Sequence, residues 1–538
     1  MASNSSVTEA VSLGLCVKDT ALSLTEQILS LFYILSPHEH TKDNAEDVPN
    51  YEVTLMPAIG LLVVLEQIIR FFMNKDLSRF QDIVINIGSA LLFTLCRTLL
   101  LGVVIIVFTY INENYRIVDL PLHSIWTWIF SLLLVEFTYY WTHRALHEIN
   151  ILWAAHSFHH MAEDVNITTT VRDSVVDLIL YDIFPIPLAM LIPPPILVVH
   201  LQFSLIYQIW LHNEVVGNLG FIEYIINTPR QHRVHHGKNP YCIDKNYGAL
   251  IMIWDRIFGT YQTEKEKIVF GVVSPTPKTF DSMTLQFGYY KDVIKKFNEV
   301  QGIGNKFSAL FKGPGWAPGK PRLGLIKEVP EPDPAAPKYS WDPYIPLWKK
   351  YYVVIHSTII VVAFIQLADH PYIRYSAFKG LVAILYIIFV LTSIGTIFDG
   401  RKIGPYIEII RCLIYFPFDY YFVASVEWAI DSNDWFVLNS SLWIIRLTHV
   451  LSIIFWLSYA LFSKDEKPLP QKISLNDMES DDSLAKPKSS TFEKWLFALG
   501  ILTTFLSISF LYIYNINSCR SITHVVINWI KTNLLTFM

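Results

Sequence analysis

Long apolar runs separated by short polar segments dominate the chain. A run of roughly 20 apolar residues is enough to cross the hydrocarbon core of a bilayer as a helix. A further apolar stretch at 174–211 contains five prolines, which interrupt helices, so two short spans or a re-entrant pair both fit it. The pattern predicts an all-α polytopic membrane protein, a helical bundle with spans at 54–73, 83–111, 125–142, 352–368, 378–398, 405–424, 437–462 and 494–516.

Polar segments divide this pattern into four parts. Residues 1–50 form a polar N-terminal segment, and residues 51–312 form a first membrane-embedded domain. A Pro/Gly-rich run at 313–350 is typical of an extended linker. Residues 351–538 form a C-terminal transmembrane domain. Within it, the charged and Ser-rich segment 463–492 is predicted to be disordered.

Composition narrows the class of protein. Hydrophobic residues make up 52% of the 538 residues and charged residues 17%, against roughly 25% charged in soluble proteins. The net charge of −5 does not favour a nucleic-acid partner. The five cysteines are odd in number and form no CxxC pair. A disulfide framework or a thiolate zinc site is therefore not expected.

Basic residues in short loops indicate the orientation. If the polar stretch after residue 213 is cytosolic, the parity of the spans also places Lys75, Arg79, Arg401 and Lys402 on the cytosolic side. The acidic loops at 46–47 and 431–434 then fall on the other side of the membrane, in agreement with the positive-inside rule.

Eight of the seventeen histidines form three tight groups. Residues three or four apart lie on one face of a helix, so each group presents two or more imidazoles in one direction. The first group follows a predicted span directly, the second comes shortly after it, and the apolar stretch at 174–211 returns the chain to the same surface. The groups are His143 and His147; His156, His159 and His160; and His232, His235 and His236.

Eight imidazoles exceed the shell of one zinc ion and fit two metals with open positions. Imidazole suits Zn, Cu, Fe and Ni, so the residues alone leave the metal open. His212, which ends the 174–211 stretch one turn after Gln208, is a candidate ninth ligand. A single His-x-x-His-His string also occurs by chance on surface helices, and a His-rich loop of a metal transporter is another alternative.

The three histidine motifs in this order resemble the fatty acid hydroxylase/sterol desaturase superfamily of membrane-bound di-iron oxygenases. The resemblance covers about residues 80–265, and within the superfamily the chain is most similar to alkylglycerol monooxygenases. The apolar half after residue 350 supports the same family. Further matching strings are Trp153-Ala-Ala-His156, Thr228-Pro-Arg-Gln-His232 and Trp254-Asp255-Arg256.

The resemblance implies that residues 51–312 form a histidine-box oxygenase domain that binds two irons through the eight histidines. It also implies that Glu148 is needed for activity, as a catalytic residue or as an acceptor that orients an imidazole. Asp164, Asp244, Asn246 and Asp255 could orient ligands too, although helix caps and loop hydrogen bonds explain such residues equally well.

The implied reaction hydroxylates the ether-linked carbon of a glyceryl ether lipid with O₂, and the product collapses to a fatty aldehyde and a glycerol derivative. Tetrahydrobiopterin is the implied electron donor, but no residue here indicates its pocket. The implied location is the endoplasmic reticulum membrane, among membrane lipids, with the active site facing the cytosol. The oligomeric state is not predicted.

Two other functions remain open at this point. One is a sterol or fatty-acyl hydroxylase or desaturase that receives electrons from a cytochrome. The other is a non-enzymatic metal transporter or scaffold. Ionisable residues in the apolar C-terminal half are either functional or snorkel to the interface; they are Asp399, Glu408, Arg411, Asp419 and Arg446.

Overall fold

The computed structural model describes residues 22–333, 336–368, 377–423 and 432–462. These ranges hold α-helices joined by loops and short 3₁₀ turns, with two isolated β-bridges and no strand. The predicted all-α class is confirmed. The predicted span at 494–516 and the segment 463–492 lie outside the described residues. The helices are α1 (Leu24–Leu31), α2 (Pro37–His40), α3 (Tyr51–Thr54), α4 (Met56–Phe72), α5 (Phe80–Tyr115), α6 (Ile125–Glu148), α7 (Asn150–His160), α8 (Val175–Ile183), α9 (Pro194–Tyr207), α10 (Pro229–His235), α11 (Ile253–Ile257), α12 (Ser282–Glu299), α13 (Ile303–Phe311), α14 (Leu347–Ala368), α15 (Ala377–Phe398), α16 (Gly404–Val423) and α17 (Ser432–Phe462).

Several helices are long and apolar enough to cross a membrane, so the chain is a multi-pass membrane protein. In the described ranges, four segments meet both criteria of length and hydropathy: Phe80–Arg97, Pro194–Leu211, Phe378–Phe398 and Leu442–Phe462. The predicted spans at 54–73 and 125–142 coincide with α4 and α6. Helix α6 continues six residues beyond the second prediction, to Glu148. Its last turns therefore carry His143 and His147 out of the span.

The proline-rich stretch folds as two short helices. Pro194 and Pro195 stand at the start of α9, where the missing N–H would have no acceptor within the helix. Pro185 likewise precedes a 3₁₀ turn at Ile186–Met190. Helix α9 is buried along almost its whole length and packs against α1, α5 and α6 in one apolar core. This packing fixes the end of α9, from which His212 follows.

The two membrane-embedded halves pack directly against each other. Helix α5 lies along α15, and a Cβ added at Gly88 would stand 2.2 Å from the side chain of Leu391. A Cβ added at Gly395 would stand 2.6 Å from the Asp281 backbone. The close contact of these elements therefore depends on glycine.

The segment predicted to be a linker lies across the histidine-bearing half. Arg322 Nη1 lies 2.5 Å from the Glu148 carboxylate, and Lys338 Nζ lies 2.5 Å from that of Asp164. Arg79, from the loop before α5, donates a hydrogen bond to the Trp341 carbonyl. These contacts tie the segment to α6 and to the loop after α7.

The C-terminal half encloses an ion pair between Glu408 and Arg411, each 1% exposed. Arg411 also donates to His356 Nδ1 at 2.9 Å, and Ser393 donates to Glu408 at 2.5 Å. These two charged residues therefore do not snorkel. Asp419 pairs with Arg446 at 2.6 Å, and Asp399 accepts hydrogen bonds from the start of the segment leading into α12.

Candidate metal centre

Nine buried histidines from four parts of the chain meet in one place. Helix α6 contributes two from its last turns, α7 contributes three, and α10 with the residue after it contributes three. His212, at the end of the 3₁₀ turn after α9, is the ninth, and it is 1% exposed. The structure therefore brings together all the histidines that the sequence analysis proposed as ligands.

The nine imidazoles divide into two groups. Within each group, the ligand nitrogens all lie within 4.8 Å of one another. The two groups are adjacent, since the rings of His160 and His236 stack with centroids 4.4 Å apart. The five-histidine group is His143, His147, His156, His160 and His235, and the four-histidine group is His159, His212, His232 and His236.

Distances within the groups match coordination of a shared ion. In the four-histidine group, His212 Nε2 lies 2.9 to 3.1 Å from the Nε2 atoms of the other three. In the five-histidine group, His156 Nε2 lies 3.1 Å from that of His143 and 3.2 Å from that of His160. At metal–nitrogen bonds of roughly 2.1 Å, two cis ligands of one ion lie about 3.0 Å apart. The residues thus fit one metal per group.

Hydrogen bonds on the outer ring nitrogens explain why the inner nitrogens need a cation. His212 Nδ1 donates to the Gln208 carbonyl at 2.9 Å. A neutral imidazole has one N–H, so its Nε2 then presents only a lone pair. Burial lowers the pKa of His235 to about 3, so protonation does not supply the missing charge. Lone pairs that face each other in a buried site are stabilised by a metal ion between them.

A short loop after α10 makes hydrogen bonds to the outer nitrogens of the five-histidine group. The Lys245 carbonyl accepts from His235 Nδ1 at 3.0 Å, and the Tyr247 carbonyl accepts from His143 Nδ1 at 2.8 Å. Asp255 in turn accepts from the N–H groups of Tyr247 and Gly248, both at 2.8 Å. We call residues 244–248 the carbonyl loop.

Asn246 and Asp255, proposed from sequence as orienting residues or as loop hydrogen bonds, both fix the carbonyl loop: Asp255 binds its backbone, and Asn246 joins it to neighbouring segments. Asn246 donates to the carbonyls of Gln231 and Gln262. Asp244 is closer to a ligand: its carboxylate lies 3.8 Å from His147 Nδ1. Asn246 and Asp255 thus hold in position the two backbone carbonyls that orient His143 and His235.

Two aspartates that sequence reasoning missed lie beside the histidines. Asp177 Oδ2 lies 3.3 Å from His156 Nδ1, and Asp173 Oδ1 lies 3.2 Å from His159 Nδ1. With Asp244 beside His147, each group thus has at least one histidine beside a carboxylate, an arrangement common around metals. A signal existed: the two aspartates stand four residues apart at the start of an apolar helix, soon after the second histidine motif.

Glu148 and Asp164 point to cationic partners. The Glu148 carboxylate pairs with Arg144 at 2.7 Å and with Arg322. Asp164 is fully buried and pairs with Arg70 and Lys338. Both carboxylates therefore join segments of the chain around the histidines.

An open cavity of about 830 Å³ adjoins the cluster, between α4, α5, α6, α8 and α9. Four of the clustered histidines form one part of its wall: His143, His156, His159 and His212. Much of the remaining wall is apolar, with Met56, Ile59, Ala90, Phe93 and Ile206 among its residues. A long apolar molecule that enters this cavity would therefore meet the histidines.

Two groups of buried histidines beside an apolar cavity, in a membrane-embedded helical domain, suit metal chemistry on a lipid. Residues 128–260 match the fatty acid hydroxylase family, and residues 349–428 match the alkylglycerol monooxygenase C-terminal domain. The site and these matches together define a lipid-modifying oxygenase of the histidine-box class. No solved structure matches the chain.

Alkylglycerol monooxygenases from three vertebrates resemble most of the chain. The protein from Xenopus tropicalis is 39% identical over 73% of this chain and 87% of its own length. The Homo sapiens protein is 40% identical over 73% of this chain and 88% of its own length. The Danio rerio protein is 37% identical over 74% of this chain and 89% of its own length. The chain belongs to the alkylglycerol monooxygenase family.

Proposed function

We propose that the protein is a di-iron monooxygenase that cleaves glyceryl ether lipids by hydroxylating the ether-linked carbon. The observation that carries this proposal is the pair of histidine groups in the wall of an apolar, membrane-embedded cavity. The relatives' name, alkylglycerol monooxygenase, supplies the substrate class. Hydroxylation of the carbon next to the ether oxygen forms a hemiacetal, which collapses to a fatty aldehyde and a glycerol derivative.

The eight motif histidines and His212 are the proposed iron ligands. Two irons bound there would supply activation of O₂, with tetrahydrobiopterin as the donor of the two electrons that the reaction requires. The protein's own part is to aim the inner nitrogens of the imidazoles, through outer hydrogen bonds such as those on His143, His212 and His235.

The cavity positions the substrate in this proposal. The alkyl chain lies against apolar residues such as Ile59 and Phe93, while the ether carbon lies beside the histidines. Apolar walls also limit water near the metals and so protect the reaction from side reactions.

Glu148 is proposed as a positioning residue. Its two ion pairs hold the C-terminal end of α6, which carries His147, against the segment that contains Arg322. Loss of this carboxylate would loosen the end of a helix that supplies two ligands.

The proposed location is the endoplasmic reticulum membrane with the site facing the cytosol. The contacts of the basic loop residues support this orientation. Lys75 donates to the Glu214 carbonyl at 2.6 Å, and Arg401 donates to Thr279 at 2.8 Å. Both residues thus contact the polar stretch that follows residue 213, so the basic loops lie on one face with it, as the positive-inside rule requires of a cytosolic face.

The proposal is tested with purified, iron-loaded protein in vesicles that receives 1-O-hexadecylglycerol, O₂ and tetrahydrobiopterin. Release of hexadecanal is expected, and His159→Ala should abolish it while membrane insertion persists. His123→Ala is the matched control, since His123 lies on the surface with its side chain 63% exposed. Turnover of a sterol or acyl lipid without any aldehyde would favour the hydroxylase or desaturase alternative, and metal flux into the vesicles would favour a transporter.

A further inference from the structure

A group of three charged residues, two of them buried, lies between helices of the membrane-embedded oxygenase half. Arg97 of α5 places Nε 2.8 Å from a carboxylate oxygen of Glu52 in α3. Its Nη1 atom lies 3.4 Å from Asp182 Oδ1 in α8. The side chains of Arg97 and Asp182 are only 5% and 7% exposed. We call these three residues the polar cluster.

Hydrogen bonding in the polar cluster is incomplete. Within the described part of the chain, Arg97 Nη1 and Asp182 Oδ2 are buried and have no hydrogen-bond partner. The Glu408–Arg411 pair of the other half differs, because Tyr352, Ser393 and His356 complete its bonding. Charged groups within membrane helices are costly and mark functional sites by default. An unpaired donor beside an unpaired acceptor indicates a ligand that accepts a hydrogen bond from the first and donates one to the second.

The polar cluster opens onto the space that leads to the histidines. Glu52 lines the 830 Å³ cavity. Arg97 and Asp182 line a narrow adjoining cavity with room for about one water-sized group. The two cavities share Tyr139 and Tyr181 in their walls. A molecule in the larger cavity can therefore reach the cluster past these two tyrosines.

The polar cluster also lies close to the reacting end of the cavity. Asp177 contacts His156, and Asp182 follows five residues later on the same helix. At 1.5 Å of rise and about 100° of rotation per residue, Asp182 lies about 7.5 Å further along the axis of α8 and on a different face. The ring centroid of Tyr139 lies 5.4 Å from that of His143, and both residues line the larger cavity. A short polar group attached at the ether carbon extends over a comparable distance.

We propose that the polar cluster binds one hydroxyl group on the glycerol part of the ether lipid. A single hydroxyl donates to Asp182 Oδ2 and accepts from Arg97 Nη1, so it completes both bonds without bringing a charge into the membrane. An alkyl chain in the same place would leave both atoms unpaired. This assignment rests on the proposed function, and it makes Arg97 and Asp182 determinants of substrate binding.

The experiment compares two substrates in iron-loaded, vesicle-reconstituted protein. The first is 1-O-hexadecylglycerol, and the second is its 2,3-di-O-methyl ether, which has no hydroxyl to donate. For Asp182→Asn we expect KM for the first to rise about tenfold, the loss typical of one hydrogen bond to a charged group, while kcat stays within about twofold. KM for the dimethyl ether should not change, because it makes no such bond.

Asp419→Asn is the matched control, since Asp419 is a buried carboxylate paired with Arg446 in the other half and lines neither cavity. It should leave both KM values unchanged. An equal rise for both substrates in Asp182→Asn would reduce the polar cluster to a structural ion pair, and an unchanged KM for the diol would also overturn the proposal. If that variant fails to retain iron, Arg97→Lys, which keeps the charge but lacks Nη1, should show the same selective rise.

Failure of the proposed function gives a different result. In that case the wild-type protein releases no aldehyde from 1-O-hexadecylglycerol. Equilibrium binding of the two ethers to wild-type protein without O₂ then still tests the polar cluster. A preference for the diol that Asp182→Asn removes supports the assignment, and equal binding of both ethers overturns it.

Discussion

At the scale of single residues, the site depends on which nitrogen each imidazole turns inward. Thr170 and the Gln208 carbonyl both lie within hydrogen-bond distance of His212 Nδ1, which leaves Nε2 for the centre of the four-histidine group. Asp177 lies within hydrogen-bond distance of His156 Nδ1, which likewise leaves His156 Nε2 for the centre of the five-histidine group. Such outer partners fix the tautomer and raise the basicity of the ligand, so their loss weakens metal binding without removing a ligand.

Asp177→Asn tests this role. The amide cannot supply the negative charge that pairs with His156, so we expect iron to be lost about 10 to 100 times more readily to a chelator. Metal analysis after timed dialysis measures the loss, and Asp177→Glu should recover part of it. The control is Asp119→Asn, an exposed carboxylate. Iron retention equal to wild type would show that the carboxylate only packs beside the ring.

His212→Ala tests the ninth ligand. The four-histidine group would keep three imidazoles and lose the one whose Nε2 faces all the others. We expect bound iron to fall from two towards one per chain, with turnover lost, while the five-histidine group keeps its ion. Elemental analysis of purified protein measures the ratio. Two irons with full turnover would remove His212 from the ligand set.

At the scale of elements, short segments do the positioning that the long helices cannot do alone. The carbonyl loop turns through positive φ at Asp244 and Asn246, both at +57°, and so aims two carbonyls at ligands. Glu136, buried in α6, accepts from the N–H groups of Leu250 and Ile251 just after the loop. The loop is therefore held from both sides, by Asp255 and by the helix that carries His143.

Gly248→Ala should disturb this loop. The added Cβ would stand 2.5 Å from the Ile251 carbonyl and 3.1 Å from Asp255 Oδ2, so the backbone has to move. We expect the stability of the iron-loaded protein to fall by about 1–3 kcal/mol, with faster loss of iron. Thermal unfolding with and without iron measures both effects.

Gly217→Ala is the matched control for this change, because no described atom lies within 4 Å of its added Cβ. It should behave as wild type. A Gly248→Ala protein with unchanged unfolding and unchanged iron retention would show that the loop adapts freely.

At the scale of the whole molecule, the C-terminal half supports the oxygenase half. Helix α15 packs on α5, and α12, which begins beside Gly395, packs on α7, the helix that carries three of the histidines. A shift of α15 would thus be transmitted through α12 to the site.

Gly395→Ala tests this connection. Its Cβ would stand 2.6 Å from the Asp281 backbone, which cannot move as a side chain tip could. We expect a loss of about 1–3 kcal/mol in unfolding free energy and lower turnover with an unchanged KM. Denaturant unfolding in detergent gives the energy, and Gly304→Ala, whose added Cβ meets no described atom within 4 Å, is the control. Wild-type stability of Gly395→Ala would contradict the tight contact.

Much of the fold and part of the site could be read from the order of residues. Apolar runs of sufficient length have to form helices in a membrane, because every backbone polar group there needs an internal partner. Spacings of three and four likewise put the imidazoles of each motif on one face. Membrane class, helix positions and the eight motif histidines are local properties of this kind.

The other features arise from contacts between distant segments. The position of His212 in the chain made it a candidate ligand, but it joins the four-histidine group because α9 is packed among α1, α5 and α6. The orienting partners of several histidines are backbone carbonyls, which every residue has, so no residue type marks them. The cavity and the polar cluster exist only where several helices leave space between them. Burial and long-range packing are collective, and a linear pattern records only the local preferences that they act upon.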